Sequence, residues 1–269
     1  MKIHPTAVIH SKAVLADDVE VGAYSVVGEH VRIGAGTRVW SHVCIDGWTD
    51  IGDRCELHPF VSVGGPPQHM QYKGEPTRVA IGHDNILREY VTVNRATVQG
   101  GGITSIGHSN FLMAYVHVAH DCHLGNHLIL ANAASLAGHI TIGDHAIVGG
   151  LSGIHQYVRI GAYAMVGGCC ALGQDLPPFM RAAGGYRARM YGLNSIGLRR
   201  HGFSSDRIAA LKQAYELLFR SGHRVAEAVK LARDTFNGSQ DVMQVADFME
   251  GTKRGICRSV GKHQEGEEE

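Results

Sequence analysis

The chain has 269 residues, 44% of them hydrophobic, and its 25 Lys/Arg are balanced by 25 Asp/Glu. That length is enough for a large core and two domains. A neutral total leaves no basic footprint for nucleic acid, and no apolar run approaches the roughly 20 residues of a membrane-spanning helix, so neither a nucleic-acid partner nor membrane insertion is expected.

From the first residues an aliphatic side chain recurs at every sixth position: Ile3, Ile9, Leu15, Val21, Val27, Ile33, Val39, Ile45, Ile51, Leu57, Val63. Neither a helix, with apolar residues every three to four positions, nor an isolated strand, with every second, has that period. A hexapeptide repeat does, and it signals a parallel β-helix. Three hexads make one triangular coil, so residues 18 apart are expected on adjacent rungs about 4.8 Å apart. The repeat starts at Ile3, which leaves no room for a cleavable signal peptide. Six cysteines show no metal-ligand spacing, and Cys55 falls in an inward column of small residues. The expected compartment is the reducing cytosol.

Two stretches interrupt the frame. Between Val63 and Ile81 the run Gly64-Gly65-Pro66-Pro67 and its continuation to Arg78 cannot extend a ladder, so 64–80 is expected to leave the coil as a loop. The repeat resumes at Ile81, Leu87 and Val93, then breaks again over 98–105, where Gln99-Gly100-Gly101-Gly102 lacks the Lys-Ser/Thr of a phosphate-binding loop. Excursions from a regular scaffold usually serve binding.

The longest unbroken stretch runs from Ile106 through Leu112, Val118, Leu124, Leu130, Leu136, Ile142, Val148, Ile154, Ile160 and Val166 to Leu172. Glycines such as Gly107, Gly125, Gly143 and Gly161 follow these residues, where corners are expected to need an unhindered backbone. Cys122 and Cys170 occupy the small inward column.

The histidines of the repeat avoid both inward columns and therefore face outward. His4, His10, His30, His108 and His145 read as solvated imidazoles, but the cluster from 117 to 156 does not. The 18-residue step stacks His120, Gly138 and Gln156 on one edge, with Asp121, His139 and Tyr157 beside them and His155 next to Gln156. A histidine suits general-base work because its ordinary pKa of about 6.5 lies near operating pH. Asp121 is positioned to fix its tautomer, and side-chain-free Gly138 leaves an N–H open toward an oxyanion. No activated nucleophile stands out, which favours direct attack by a substrate hydroxyl on a thioester.

The frame stops at Asp175-Leu176-Pro177-Pro178, so the β-helix is expected over 1–175. After a linker around Gly184–Arg189, an α-helical domain is expected over 190–258. One helix is capped by Ser204 or Ser205 and runs to about Ser221, a second spans about Val225–Phe236, and a third opens at Ser239. Residues 181–262 carry 15 Lys/Arg against 7 Asp/Glu, a net +8 suited to an acidic partner. The acidic end, 259–269, reads as disordered.

Several segments resemble the UDP-N-acetylglucosamine acyltransferase family: His117-Val118-Ala119-His120-Asp121-Cys122, Leu136-Ala137-Gly138-His139, His155-Gln156, Lys73-Gly74-Glu75-Pro76-Thr77-Arg78, Thr97 to Gly102, and Gly197 to Phe203. The resemblance covers the chain short of its acidic tail. It implies an all-β left-handed parallel β-helix with a C-terminal α-helical domain, and a homotrimer. It also implies transfer of an (R)-3-hydroxyacyl group from acyl carrier protein to the 3-position of the sugar nucleotide, in lipid A biosynthesis. The donor acyl group would ride on the carrier's phosphopantetheine, with no other cofactor and no metal.

By the same resemblance His120 is the base, Asp121 its partner and Gly138 the oxyanion amide. His117, His139, His155 and Gln156 surround the substrate, and Asn194 and Arg200 contact the nucleotide from a neighbouring subunit. Gly168 limits acyl length. Departures from the family are His69-Met70-Gln71, where it reads Asp-Leu-Lys, and His201 in place of an arginine. They keep open a 3-amino sugar as acceptor. A zinc hydratase of the γ-carbonic anhydrase type is the rival from another class, but Cys122 stands where a histidine ligand would be needed.

Overall fold

A computed structural model describes residues 1–259. The acidic stretch expected to be disordered lies outside them, apart from Ser259, which bridges to Met190. Short strands wind into three sheets of eleven, nine and eight strands, parallel throughout except for the last strand of the first. Consecutive strands enter the first, second and third sheet in turn, so each coil closes a triangle. It is the left-handed parallel β-helix implied above.

The sixth-position aliphatics form the interior. Leu112, Leu130, Val148 and Val166 pair in register up the first sheet, and all four are fully buried. Burying such a side chain contributes about 1.5–3 kcal/mol, and the repeat does so at every face of every coil. The first coil is the exception: Ile3 is 43% exposed, because an end coil has no rung beneath it.

The corners correct one expectation. Left-handed backbone at the corner joining second and third sheets belongs to Asp121, His139 and Tyr157, with φ of 62°, 62° and 65°. The glycines that follow the aliphatic residues are needed for close approach instead. A Cβ at Gly143 would stand 2.6 Å from the Ala162 nitrogen, and one at Gly161 would stand 2.2 Å from the Pro178 nitrogen.

Both interruptions leave the coil at that same corner. The strands Ser62–Gly65 and Arg78–Ile81 flank residues 66–77, and Thr92–Asn94 and Ile103–Ile106 flank residues 95–102. Each excursion lengthens the step between rungs, so Glu56 pairs with Ile86 and Ile86 with Phe111. The 18-residue step holds on either side.

The first sheet runs on past residue 175. Met180–Ala183 adds to it in parallel, and Arg189–Leu193 returns antiparallel through the segment read as a linker. Four helices follow: α1 Ser195–Arg200, α2 Ser205–Tyr215, α3 Val225–Thr235 and α4 Gln240–Glu250. Ser204 caps α2 and Ser239 caps α4, each accepting from a backbone N–H of the first turn. After Tyr215 a wider π-helical turn, Glu216–Arg220, takes over. None of the described helices is long and apolar enough to cross a membrane.

The helices are locked to the coil through buried Asp175, which accepts from the Arg159 N–H at 2.9 Å and the Thr252 hydroxyl at 2.8 Å. The Arg159 guanidinium covers the Phe248 ring and donates to the Phe248 and Gly251 carbonyls.

Gly143→Ala is expected to lower the thermal unfolding midpoint by several degrees, since overpacking against backbone costs about 1–3 kcal/mol. Gly185→Ala, with open space around its Cβ, should leave it unchanged. Equal midpoints in the two variants would refute close approach as the reason for the corner glycines.

Candidate active site

The rung rule brings His120 over Gly138: a Cβ at Gly138 would lie 2.6 Å from His120 Cε1 and 2.9 Å from Nε2. The His120 carbonyl accepts from His139 N–H, and the Gly138 carbonyl from Tyr157 N–H, so residues 120, 138 and 156 occupy successive rungs of one edge. The Gly138 N–H donates to no described residue.

Asp121 is fully buried and turned toward His120. Its Oδ2 lies 2.7 Å from His120 Nδ1, Oδ2 also accepts from the Thr97 hydroxyl at 2.7 Å, and Oδ1 accepts from Thr97 N–H at 2.8 Å. Donation of Nδ1–H to a carboxylate that can only accept leaves Nε2 of His120 as the basic nitrogen. Its imidazole is mostly buried but keeps 10% exposure, which leaves a reacting group a way in.

Thr97 and Gly100 come from the second excursion, a segment that resembles the family without either residue being an expected site residue. A Cβ at Gly100 would stand 2.0 Å from the Asp121 carboxyl carbon. That glycine thus admits the backbone against the carboxylate. The threonine-to-glycine spacing was visible, but only the loop's conformation shows its target. Thr104 completes the support by accepting from Asp121 N–H.

His139 presents Nε2 to Asp121 Oδ2 at 3.7 Å and stacks on Tyr157 with centroids 4.4 Å apart. Burial pushes its pKa below the usual imidazole range; Asp121 opposes this, and His120 adds to it. Burial prevails over the carboxylate, so His139 is neutral at pH 7 and the contact is not an ion pair. His117 is pushed down too, by burial and then by His120, and its Nδ1 lies 2.7 Å from the Thr92 hydroxyl. His69, from the first excursion, meets His120 edge-on with centroids 5.3 Å apart.

His120, Asp121 and His139 offer ligand atoms within 4.8 Å of one another, a spacing a metal ion could use, although the Asp121 oxygens already accept three hydrogen bonds. Cys122 is buried and its thiol is pushed up to about 12 by burial, which removes it as a nucleophile or thiolate ligand at neutral pH.

Beside the His120 edge lies a cavity of about 850 Å³ walled by the second sheet, with His117 and His155 on its lining and Tyr186, Arg187 and Arg189 at the end of that sheet, where Tyr186 pairs with Ala171. Gln156 is exposed. The other predicted residues sit elsewhere. Gly168 is exposed at the corner joining first and second sheets. Asn194 uses its side chain within the chain, capping α1 at Gly197 N–H and donating to the Tyr163 carbonyl, and Arg200 is exposed at the end of α1. His108 and His145 are not simply solvated: His108 accepts from His83 N–H, and His145 stacks between His127 and Tyr163.

The family model "Udp N-acetylglucosamine O-acyltransferase; Domain 2" matches residues 175–257. An acyl-[acyl-carrier-protein]--UDP-N-acetylglucosamine O-acyltransferase of Thermodesulfovibrio yellowstonii is 51% identical over 257 residues, 96% of this chain and 99% of that protein. Its Ralstonia nicotianae counterpart is 54% identical over 266 residues, 96% and 98% of the two chains. The crystal structure of the UDP-N-acetylglucosamine O-acyltransferase of Moraxella catarrhalis superposes with a TM-score of 0.94 at 43% identity, over 96% of this chain and 100% of that one. The Acinetobacter baumannii structure gives 0.93 at 43%, over 95% and 99%. With relatives of this identity matched along almost their whole length, the chain belongs to the acyl-[acyl-carrier-protein]--UDP-N-acetylglucosamine O-acyltransferase family.

Proposed function

We propose that this protein transfers an (R)-3-hydroxyacyl group from acyl carrier protein to the 3-hydroxyl of UDP-N-acetylglucosamine, the first step of lipid A biosynthesis, with His120 as general base. The observation that carries the mechanism is the His120–Asp121 dyad standing over the unpaired Gly138 amide. Nε2 of His120 takes the acceptor's proton as its oxygen attacks the thioester carbonyl. The resulting imidazolium is stabilised by Asp121, and the tetrahedral oxyanion accepts from Gly138 N–H. Collapse expels the carrier's thiolate, which recovers the proton from His120. The products are the ester and the free thiol, so protons balance without a cofactor. Neutral His117 and His139, with His155 and Gln156, line the path of the substrate.

The working unit in this reading is a homotrimer. In-register Ile86, Phe111, Ile129, Ile147 and Met165 form an apolar column on the outer side of the first sheet. At the adjoining corner Tyr24, His42, Phe60, Tyr90 and Tyr115 stack ring on ring, 4.8–5.2 Å apart. An outer face this apolar suits contact with another copy. Such a contact also supplies what one chain lacks: Gly168, Asn194 and Arg200 lie at other corners than His120, and reach its substrate from a neighbour. The basic C-terminal domain docks the acidic carrier protein, and the enzyme works in the cytosol.

His120→Ala should leave a folded trimer with transfer reduced by about 10²–10⁴-fold, the usual contribution of a general base; activity above a tenth of wild type would rule out the role. Ile129→Asp is expected to give smaller species in sedimentation and to lose activity, whereas an intact trimer would exclude this face as the contact. Raising salt should increase the KM for acyl carrier protein and leave that for the sugar nucleotide nearly constant, because screening weakens docking of opposite charges. A carrier KM indifferent to salt would count against the basic domain as its dock.

A further inference from the structure

The glycine run of the second excursion spends its N–H groups within the excursion itself. Gly100 N–H donates to the Thr97 hydroxyl at 3.1 Å, Gly101 N–H to the Val98 carbonyl and Gly102 N–H to the Thr97 carbonyl. Gly101 and Gly102 close the turn with φ of 101° and 80°, a region that favours glycine. The residue this turn wraps back on is Thr97, which is buried.

Thr97 grips Asp121 with two prongs. Its N–H donates to Oδ1 and its hydroxyl to Oδ2, so the carboxylate cannot turn about its Cβ–Cγ bond without losing both. The hydroxyl proton is directed there, because Gly100 N–H occupies a lone pair of the same oxygen and a carboxylate only accepts. The backbone beneath is fixed as well, since Asp121 N–H donates to the Thr104 hydroxyl at 2.8 Å. Oδ2 is also the oxygen that faces His120 Nδ1. Two donors share it, and each tempers the charge available to the other.

We propose that Thr97 is a positioning residue for the transfer: it holds the Asp121 carboxylate in the plane that orients His120 and, by sharing Oδ2, sets the pH range over which that imidazole works. This rests on the reading of His120 as general base. The glycine-rich excursion is then a cradle for the protein's own carboxylate, where a run of glycines would otherwise suggest a phosphate.

Thr97→Val removes the hydroxyl and keeps the N–H. Its kcat should fall about tenfold, the order of one hydrogen bond to a charged group, while the KM values for acyl carrier protein and sugar nucleotide stay unchanged. An Oδ2 no longer shared holds the imidazolium more firmly, so the acid limb of the kcat profile should move to higher pH. Thr97→Ser, which keeps the hydroxyl, should show the rate and profile of the wild type, and Thr97→Ala should behave as the valine variant does. In an Asp121→Asn background Thr97→Val should cost little further, since a residue that acts through the carboxylate has nothing left to orient. An unchanged kcat, an acid limb that stays in place, a serine variant as slow as the valine one, or a loss of the same size in the Asp121→Asn background would each overturn the proposal. Unfolding of both the valine and the alanine variants would overturn it too, by making Thr97 a structural residue. If the proposal fails while His120→Ala is inactive, only the role of Thr97 is lost; an active His120→Ala would instead remove the base through which it acts.

Discussion

The structure depends on one constraint, the vertical register of the inward aliphatic columns. Leu112 over Leu130 over Val148 is a packing requirement, because a slip of one residue along a strand would turn every buried side chain outward. Once that register is fixed, so is what lies at the corners. Asp121, His139 and Tyr157 are neighbours because Val118, Leu136 and Ile154 are, and the candidate catalytic edge is a by-product of how the core packs. The interior admits polar groups only where they are hydrogen-bonded, as Ser25 and Ser152 are to backbone carbonyls, so a reactive group has to stand on the outer surface and acquire its shelter there.

That shelter comes from the two places where the repeat is broken. Both excursions emerge at the corner that carries His120. The second lays Thr97 and Gly100 on Asp121 and gives the carboxylate two of its three donors. The first brings His69 to the open side of the imidazole. A solenoid offers smooth faces, and a site needs a recess; inserting residues at one corner creates it without disturbing the coils above and below. Burial then does chemical work, since it keeps His117 and His139 neutral against a carboxylate that would otherwise charge the nearer of them.

The same geometry bears on the proposed trimer. The corner bearing Gly168 and the helix end bearing Arg200 face away from the His120 edge, so no bending of a rigid β-helix could bring them to a common ligand. In the proposed trimer, association through the apolar outer column of the first sheet does so without deforming any coil. Asn194 meanwhile caps α1 and holds it to Tyr163, which fixes where this corner presents its residues.

The sequence by itself determined the β-helix, the stacking of 120, 138 and 156, the buried state of Cys122 and the position of three helices with two of their caps. All of these follow from periodicity or local chain chemistry, which a single strand of letters carries in full. It did not reveal that corner residues such as His139 adopt the left-handed backbone while the glycines are there for close contact, because both leave the same mark in the repeat. Nor did it show Asp121 held by Thr97, His69 poised against His120, or the added strands after residue 175. Those were decided by the tertiary structure alone: aperiodic segments take their shape from contacts with distant rungs, and no spacing rule encodes where such a segment will land.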